Sequence, residues 1–438
     1  MDNLLAYIDQ GSFLALRAFG HEPLQQFVWV YDHDVDVDRL RQLHRNLSDG
    51  LLGRRIERSP LPFGRHHWVA TPHQAALDVA TVPRPSDELS AWMDEQATIP
   101  IDPERGPGWR MAVLPFTGGG GAVTMIVSHS VGDVGAVLVS LLEASHGIKR
   151  DLGYPPPHSR TLTESVRQDL ATTKRSLPEM VKAVKVGMAL ARENSGSPKR
   201  AGAPGKRSGG ALTIRPSVAA VVDTGIWDQR AAELGGSSNT LLSAFAVRIG
   251  YIRGYADTAG RVTLQVPISQ RTQEDNRANA LTGISVSTDA REVTTSLAAI
   301  RAEMKQALTG LAEEENKLMA SLPLTPFTPR WLVRKLASAA LGTGTPVGCS
   351  NLGEVFPDVV RPDGTDAAFF WARGVEWPIT QEGLDQRGDS LFVGSGRANG
   401  KVVICVVSWM VGGANNREDL TELVTHGLAD FGLTGAFI

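Results

Sequence analysis

The sequence predicts an α/β protein made of two units of similar size joined by a linker. Three observations carry this. Runs of β-branched and aromatic residues alternate with helical-period apolar patterns both before residue 151 and after residue 210. The segment between them ends in ENSGSPKRAGAPGKRSGG, which holds Gly, Pro, Ser, Lys and Arg and almost nothing apolar. The length of 438 residues, 42% hydrophobic and 21% charged, gives ample core for two or three domains of roughly 150 residues each. The predicted division is an N-terminal unit over 1–150, a helical and flexible linker over 151–210, and a C-terminal unit over 211–438. No residue-level repeat relates the two units.

In the first unit, Phe27-Val28-Trp29-Val30-Tyr31 reads as a strand. Asp38 stands as N-cap of a helix with Leu40, Leu43 and Leu47 on one face, closed by Gly50. Met111 to Pro115 and Ala122 to Val127 read as strands joined by a hairpin at Gly118 to Gly121, and a helix follows over Ala136 to Ala144. After Pro155-Pro156-Pro157 the linker carries two helices, Thr163 to Lys174 and Pro178 to Glu193, with Pro178 placed at a helix start. The second unit reads as a strand at Ala219 to Asp223, a helix from Asn239 to Tyr251, and strands at Val262 to Pro267 and Gly283 to Ser287. A helix then shows Leu297, Ile300, Met304, Leu308 and Leu311 on one face. Strands at Ser390 to Gly394 and Lys401 to Trp409 and a helix over Asp419 to Phe431 close the chain.

Composition excludes several functions. Lys and Arg number 44 against 47 Asp and Glu, a net charge of −3, which leaves no basic footprint for nucleic acid. Gly 45 and Pro 25 exceed background only mildly. Cys349 and Cys405 lack CxxC spacing and a His cluster, so no metal site is expected, and they read as reduced thiols of a cytoplasmic protein. The N-terminus has no basic stretch before an apolar core, so no secretory signal is expected. The greasiest run, Val402 to Val411, is too short to span a bilayer and reads as a buried strand.

The best site candidate is Ile126-Val127-Ser128-His129-Ser130-Val131-Gly132-Asp133-Val134-Gly135. An apolar strand ends in a His, an acid follows four residues later, and a helix starts. A His at a strand end can face a cleft and accept a proton from a hydroxyl or amine at neutral pH. A buried Asp beside it needs a partner such as an Arg. The plain alternative is a satisfied structural histidine.

Further segments stand in order along the chain: Asp9-Gln10-Gly11-Ser12-Phe13-Leu14, Ile101-Asp102 with Gly106-Pro107-Gly108-Trp109-Arg110, and Ser238-Asn239-Thr240-Leu241-Leu242. Val266-Pro267-Ile268-Ser269-Gln270-Arg271 with Asn279, Cys349-Ser350-Asn351-Leu352-Gly353, and Ser408-Trp409 follow. With the His129 segment as a variant HHxxxDG motif, they resemble the condensation-like acyltransferase superfamily. It includes chloramphenicol acetyltransferase, peptide-synthetase condensation domains, mycobacterial polyketide-associated acyltransferases and bacterial wax ester synthase/diacylglycerol acyltransferases. The last group is the most similar, because the likeness runs along nearly the whole chain.

The resemblance implies two chloramphenicol-acetyltransferase-like lobes forming a V, with a tunnel between them that donor and acceptor enter from opposite faces. It implies that His129 is the general base and that Asp133 is structural and pairs with Arg271 of the second lobe. Ser128, Asn239 and Asn279 take supporting positions. Ser350 and Asn351 stand where relatives bring polar groups near the tunnel, either as donors to an oxyanion or as shapers of the lobe crossover. Trp109 and Ser408 are further tunnel candidates. The implied co-substrate is acyl-CoA or a phosphopantetheine thioester on an acyl or peptidyl carrier protein, with a small alcohol or amine as acceptor and no permanently bound cofactor.

Four positions depart from the pattern. Ser128 replaces the first His, Val134 replaces the Gly after the Asp, Gly108 replaces a Leu and Thr240 replaces an Asp. Three readings therefore stand: an acyltransferase, a same-fold enzyme of cyclisation or intramolecular condensation, and a non-catalytic acyl- or carrier-binding protein.

Other features read as structural. His66-His67 has no acid at the motif spacing, Arg54-Arg55-Ile56-Glu57-Arg58 reads as a solvated face, and Gly118 to Gly121 lacks the Lys-Ser/Thr of a phosphate loop. The helix Met180 to Glu193 mixes Met180, Val181, Val184, Met188 and Leu190 with Lys182, Lys185 and Arg192. It suits peripheral membrane contact, a tunnel cover, or packing on its own lobe. Lys199, Arg200, Lys206 and Arg207 would assist membrane or carrier contact, or simply solubilise the linker.

Overall fold

The computed structural model describes residues 3–71, 75–193, 210–329 and 346–438, so the basic cluster Lys199, Arg200, Lys206 and Arg207 lies outside the described residues. The first half runs α1 (Tyr7–Phe19), β1 (Glu22–Tyr31), α2 (Val37–Leu47), β2 (Arg54–Glu57), β3 (His67–Ala70), β4 (Asp78–Val79), α3 (Leu89–Thr98), β5 (Trp109–Pro115), β6 (Gly121–Ser128) and α4 (Val134–Ser145). A long helix, α5 (Leu162–Glu193), leads onward. The second half runs β7 (Ser217–Asp223), α6 (Thr224–Glu233), α7 (Ser238–Ile252), β8 (Arg261–Ser269), β9 (Leu281–Asp289), α8 (Ala298–Ser321), β10 (Val347–Glu354) and β11 (Phe369–Trp377). It ends with α9 (Gln381–Arg387), β12 (Ser390–Ala398), β13 (Lys401–Trp409), α10 (Arg417–Ala429) and β14 (Ala436–Phe437).

These strands make a five-stranded sheet in the order β11-β1-β6-β5-β4 and a seven-stranded sheet in the order β14-β7-β13-β12-β10-β8-β9. β2 and β3 form a separate ribbon. β1 is buried on both faces, which explains its near-continuous apolar run. Phe27, Trp29 and Tyr31 point into a core shared with α2 and α4, including Leu40, Leu43, Val137 and Leu141. Val28 and Val30 point the other way, into a core that joins the two sheets through Ala219, Val221, Val403, Cys405 and Val407.

The first sheet takes its edge strand from the second half of the chain. β11 pairs antiparallel with β1, with Trp29 opposite Phe370 and Gln25 opposite Gly374. The turn Pro357–Val360 before it also packs on α4, and the Trp29 indole donates to the Val359 carbonyl at 2.8 Å. The boundaries at 150 and 211 therefore divide the chain but not the sheets.

Two local readings are corrected. The N-cap of α2 is Asp36, whose carboxylate accepts from the Asp38 and Arg39 amides, so Asp38 lies in the first turn. The two linker helices are one helix that runs through Pro178. Pro178, which has no amide proton to give the Lys174 carbonyl, is tolerated where both residues are exposed. α5 is anchored instead by a buried cluster on the ribbon. Asp169 accepts from Ser59 Oγ, lies 2.9 Å from His67 Nε2, and meets Arg160 at 3.2 Å.

Candidate active site

His129 follows the last residue of β6, and its loop is pinned from three sides. Its amide donates to the Pro23 carbonyl at 2.9 Å, Gln25 Nε2 donates to the Gly132 carbonyl at 2.6 Å, and Arg54 Nη2 donates to the Val131 carbonyl at 3.1 Å. Arg54 is itself buried, with its guanidinium 4.1 Å from the Trp68 ring. The basic run that reads as a solvated face thus supplies a core residue.

The segment 270–280, between β8 and β9, closes over the loop. Arg271 Nη2 donates to Asp133 Oδ1 at 2.8 Å, and the two side chains are 4% and 5% exposed. Asp133 Oδ1 also N-caps α4 through the Ala136 amide, and Oδ2 accepts from the Ala280 amide at 2.7 Å. The acid therefore holds a helix start, a cation and a strand entry at once. Gly135 makes room for this, since a Cβ there would lie 3.3 Å from Arg271 Nε. Val134 is the first residue of α4, so the motif's Gly is not needed there for backbone reasons.

The histidine's orientation is set by Asn279. Asn279 Nδ2 donates to Asp9 Oδ1 at 3.2 Å and to the His129 carbonyl at 3.3 Å, which turns Oδ1 toward His129 Nδ1 at 2.8 Å. Nδ1 then carries the proton and Nε2 holds the lone pair. Asp9 is the base of this chain, accepting also from the amides of Ala278 and Asn279 at 2.9 and 2.7 Å. Burial raises its carboxyl above the ordinary range, partly offset by those bonds and by Arg54.

His129 lines a cavity of about 240 Å³ between the sheets. Leu24, Trp371, Val375, Phe392 and Val403 make its walls mainly apolar, and Ser350, Arg215 and Glu376 add polar groups. The other sequence candidates fall into groups. His129, Asp133, Arg271 and Asn279 meet, and Ser350 shares the cavity wall. Ser128 is buried at the turn, its hydroxyl donating to Glu22 and accepting from the Ser130 amide. Asn239 and Asn351 bond to each other at 3.1 Å, away from the cavity lining.

Two tunnel candidates are corrected. Trp109 is buried in the first core, donates to the Leu52 carbonyl and meets the His44 ring at a tilt, centroids 4.9 Å apart. Ser408 is buried in β13, its amide bonded to the Pro216 carbonyl, and does not line the cavity. Thr240, which stands where the motif has an Asp, accepts from the Ser237 amide at 2.6 Å in a capping box.

Sequence reasoning missed Glu22, Gln25 and Arg215 and gave Asp9 no role. Asp9 had a signal, the Asp9-Gln10-Gly11-Ser12-Phe13-Leu14 segment of the family resemblance. Glu22 had none, because its partner Ser128 is 106 positions away. Burial pushes both Cys349 and Cys405 thiols up to about 12, so they are unreactive packing groups. Among the described residues no three His, Cys, Asp or Glu side chains converge as a metal site, and no helix is long and apolar enough to cross a membrane.

β11 donated to the first sheet, a His at the end of a central strand and a cavity between the sheets make up a fold that known condensation domains and a wax ester synthase also have. Solved structures share it over the full chain. The first condensation domain of the calcium-dependent antibiotic synthetase, in complex with a substrate analogue, is 14% identical with a TM-score of 0.58, covering 100% of this chain and 98% of that one. The wax ester synthase/diacylglycerol acyltransferase from Marinobacter aquaeolei VT8 is 15% identical with a TM-score of 0.57, covering 98% of each chain. Polyketide synthase associated protein 5 from Mycobacterium tuberculosis is 13% identical with a TM-score of 0.51, covering 96% of each. No family model matches the chain, and no curated protein matches it by sequence. At these identities the likeness establishes the fold, and the chemistry rests on the residues.

Proposed function

We propose that the protein transfers an acyl group from a thioester, on CoA or a carrier protein, to a hydroxyl or amine acceptor, with His129 as general base. The observation that carries this is the Asn279 bond to Nδ1, which leaves Nε2 as the basic nitrogen of a His that lines the inter-sheet cavity. Nε2 takes the acceptor's proton as the oxygen or nitrogen attacks the thioester carbonyl. The C–S bond then breaks, and the imidazolium returns the proton to the leaving thiolate. Ser350 is the proposed donor to the oxyanion.

The two unpaired thiols fit a cytoplasmic setting. Leu170, Leu177, Val181 and Val184 are exposed along α5 beside Lys174, Lys182 and Lys185, which supports peripheral membrane contact. The functional test is free-thiol release from a panel of acyl-CoA and acyl-carrier donors with alcohols and amines, by wild type and His129→Ala. Release that vanishes in the variant supports the proposal, and equal release overturns the role of His129. Absence of release with every donor would favour the cyclisation or intramolecular-condensation reading and the non-catalytic binding reading.

A further inference from the structure

The cavity that holds His129 has a polar end whose charges do not balance. Three charged side chains line it: Arg215, Arg373 and Glu376. Arg373 is fully engaged, donating to Gln26 Oε1 at 2.8 Å, Ser217 Oγ at 2.7 Å and Asp94 Oδ1 at 2.6 Å. Glu376 is held tightly by Arg387, which also contacts His21. Arg215 is left with the weaker contacts, a 3.3 Å bond to Ser390 Oγ and a 3.8 Å approach to Glu376. Burial, with Arg387 beside it, lowers His21 to about 4, so it is neutral at pH 7. Two guanidiniums thus share one carboxylate, and the group carries one surplus positive charge.

A surplus cation at a mainly apolar cavity, only 19% exposed, is costly unless a ligand supplies the anion. We infer that Arg215 binds a carboxylate on the molecule occupying the His129 cavity, so that one substrate is an acidic acyl or acceptor compound. The inference rests on the reading that this cavity receives substrate. One guanidinium fork matches one planar carboxylate. A phosphomonoester, with a charge of about −1.5 to −2, would leave the site over-neutralised.

The experiment is calorimetric titration of octanoate, 1-octanol and phosphopantetheine into wild type, Arg215→Gln and Arg215→Lys. The two eight-carbon probes differ only in the anionic head, and phosphopantetheine reports the alternative source of an oxyanion. Wild type should bind octanoate more tightly than octanol. Arg215→Gln should weaken octanoate about tenfold or more while octanol and phosphopantetheine hold. Arg215→Lys should recover part of the loss, and retained octanol binding shows that the cavity is folded. Octanoate binding unchanged in Arg215→Gln, equal losses for octanoate and octanol, a loss confined to phosphopantetheine, or no binding of either eight-carbon probe to wild type would each overturn the inference. Thiol release by His129→Ala is scored separately. Its failure with the Arg215 effect intact would remove the base and leave the anion site, and the converse would leave acyl transfer without it.

Discussion

At the residue scale, the site depends on what orients His129. Asn279, held by Asp9, bonds Nδ1 of the ring, so under the proposed reading it acts as a positioning residue for a basic Nε2. Asn279→Ala is expected to lower kcat by roughly 10²-fold with KM little changed, since general-base catalysis contributes about 10²–10⁴. A matching rise in KM would show a collapsed cavity instead. Glu22 gives a pH signature. Burial pushes its carboxyl from 4.5 up to about 7, against the opposing Ser128 bond. The unfolded chain then binds fewer protons than the folded one between those values, so this group's contribution falls as pH rises from 4.5 to 7 and is flat above. Glu22→Gln should therefore gain up to about 3 kcal/mol at pH 8 relative to its effect at pH 4, read by urea unfolding. A pH-independent difference would contradict it. His129 was legible because an apolar strand ended on it and an acid followed. Glu22 and Arg215 were not, because burial and charge balance arise only when distant segments meet.

At the element scale, strands with clean β-branched runs were legible, as were helices with a one-sided leucine pattern. β11 was not. It carries Arg373 in its interior, and that charge looks solvent-facing until Gln26, Ser217 and Asp94 close around it. His67 reads as structural in the sequence, and with Asp169, Ser59 and Arg160 it ties α5 to the β2–β3 ribbon, a set of partners that the sequence does not show. Asp169→Ala leaves a buried His and Arg without their acid and should cost about 3–5 kcal/mol in urea unfolding. A loss under about 1 kcal/mol would show that α5 is held by other contacts.

At the scale of the whole molecule, the alternation of strands and helices predicted two units, and the structure makes them interdependent. β11 crosses from the second half to complete the first sheet, while the 270–280 segment crosses to hold the His129 loop. Neither exchange is visible in local patterning, because each joins residues more than a hundred positions apart. Residues 1–193 alone lack the strand that covers β1 and should show no cooperative thermal transition by circular dichroism. A sharp transition in that fragment would show that the first lobe folds without its exchanged strand. Arg271→Ala should cost about 3–5 kcal/mol by leaving Asp133 unpaired.

These scales converge on His129, whose Nδ1 is bonded to Asn279 and which lines a cavity that both lobes build. The most direct measurement is kcat for thiol release by wild type and His129→Ala, with one donor, one acceptor and matched melting temperatures. General-base catalysis predicts a fall of about 10²–10⁴ in the variant. Equal rates in the two proteins would contradict it.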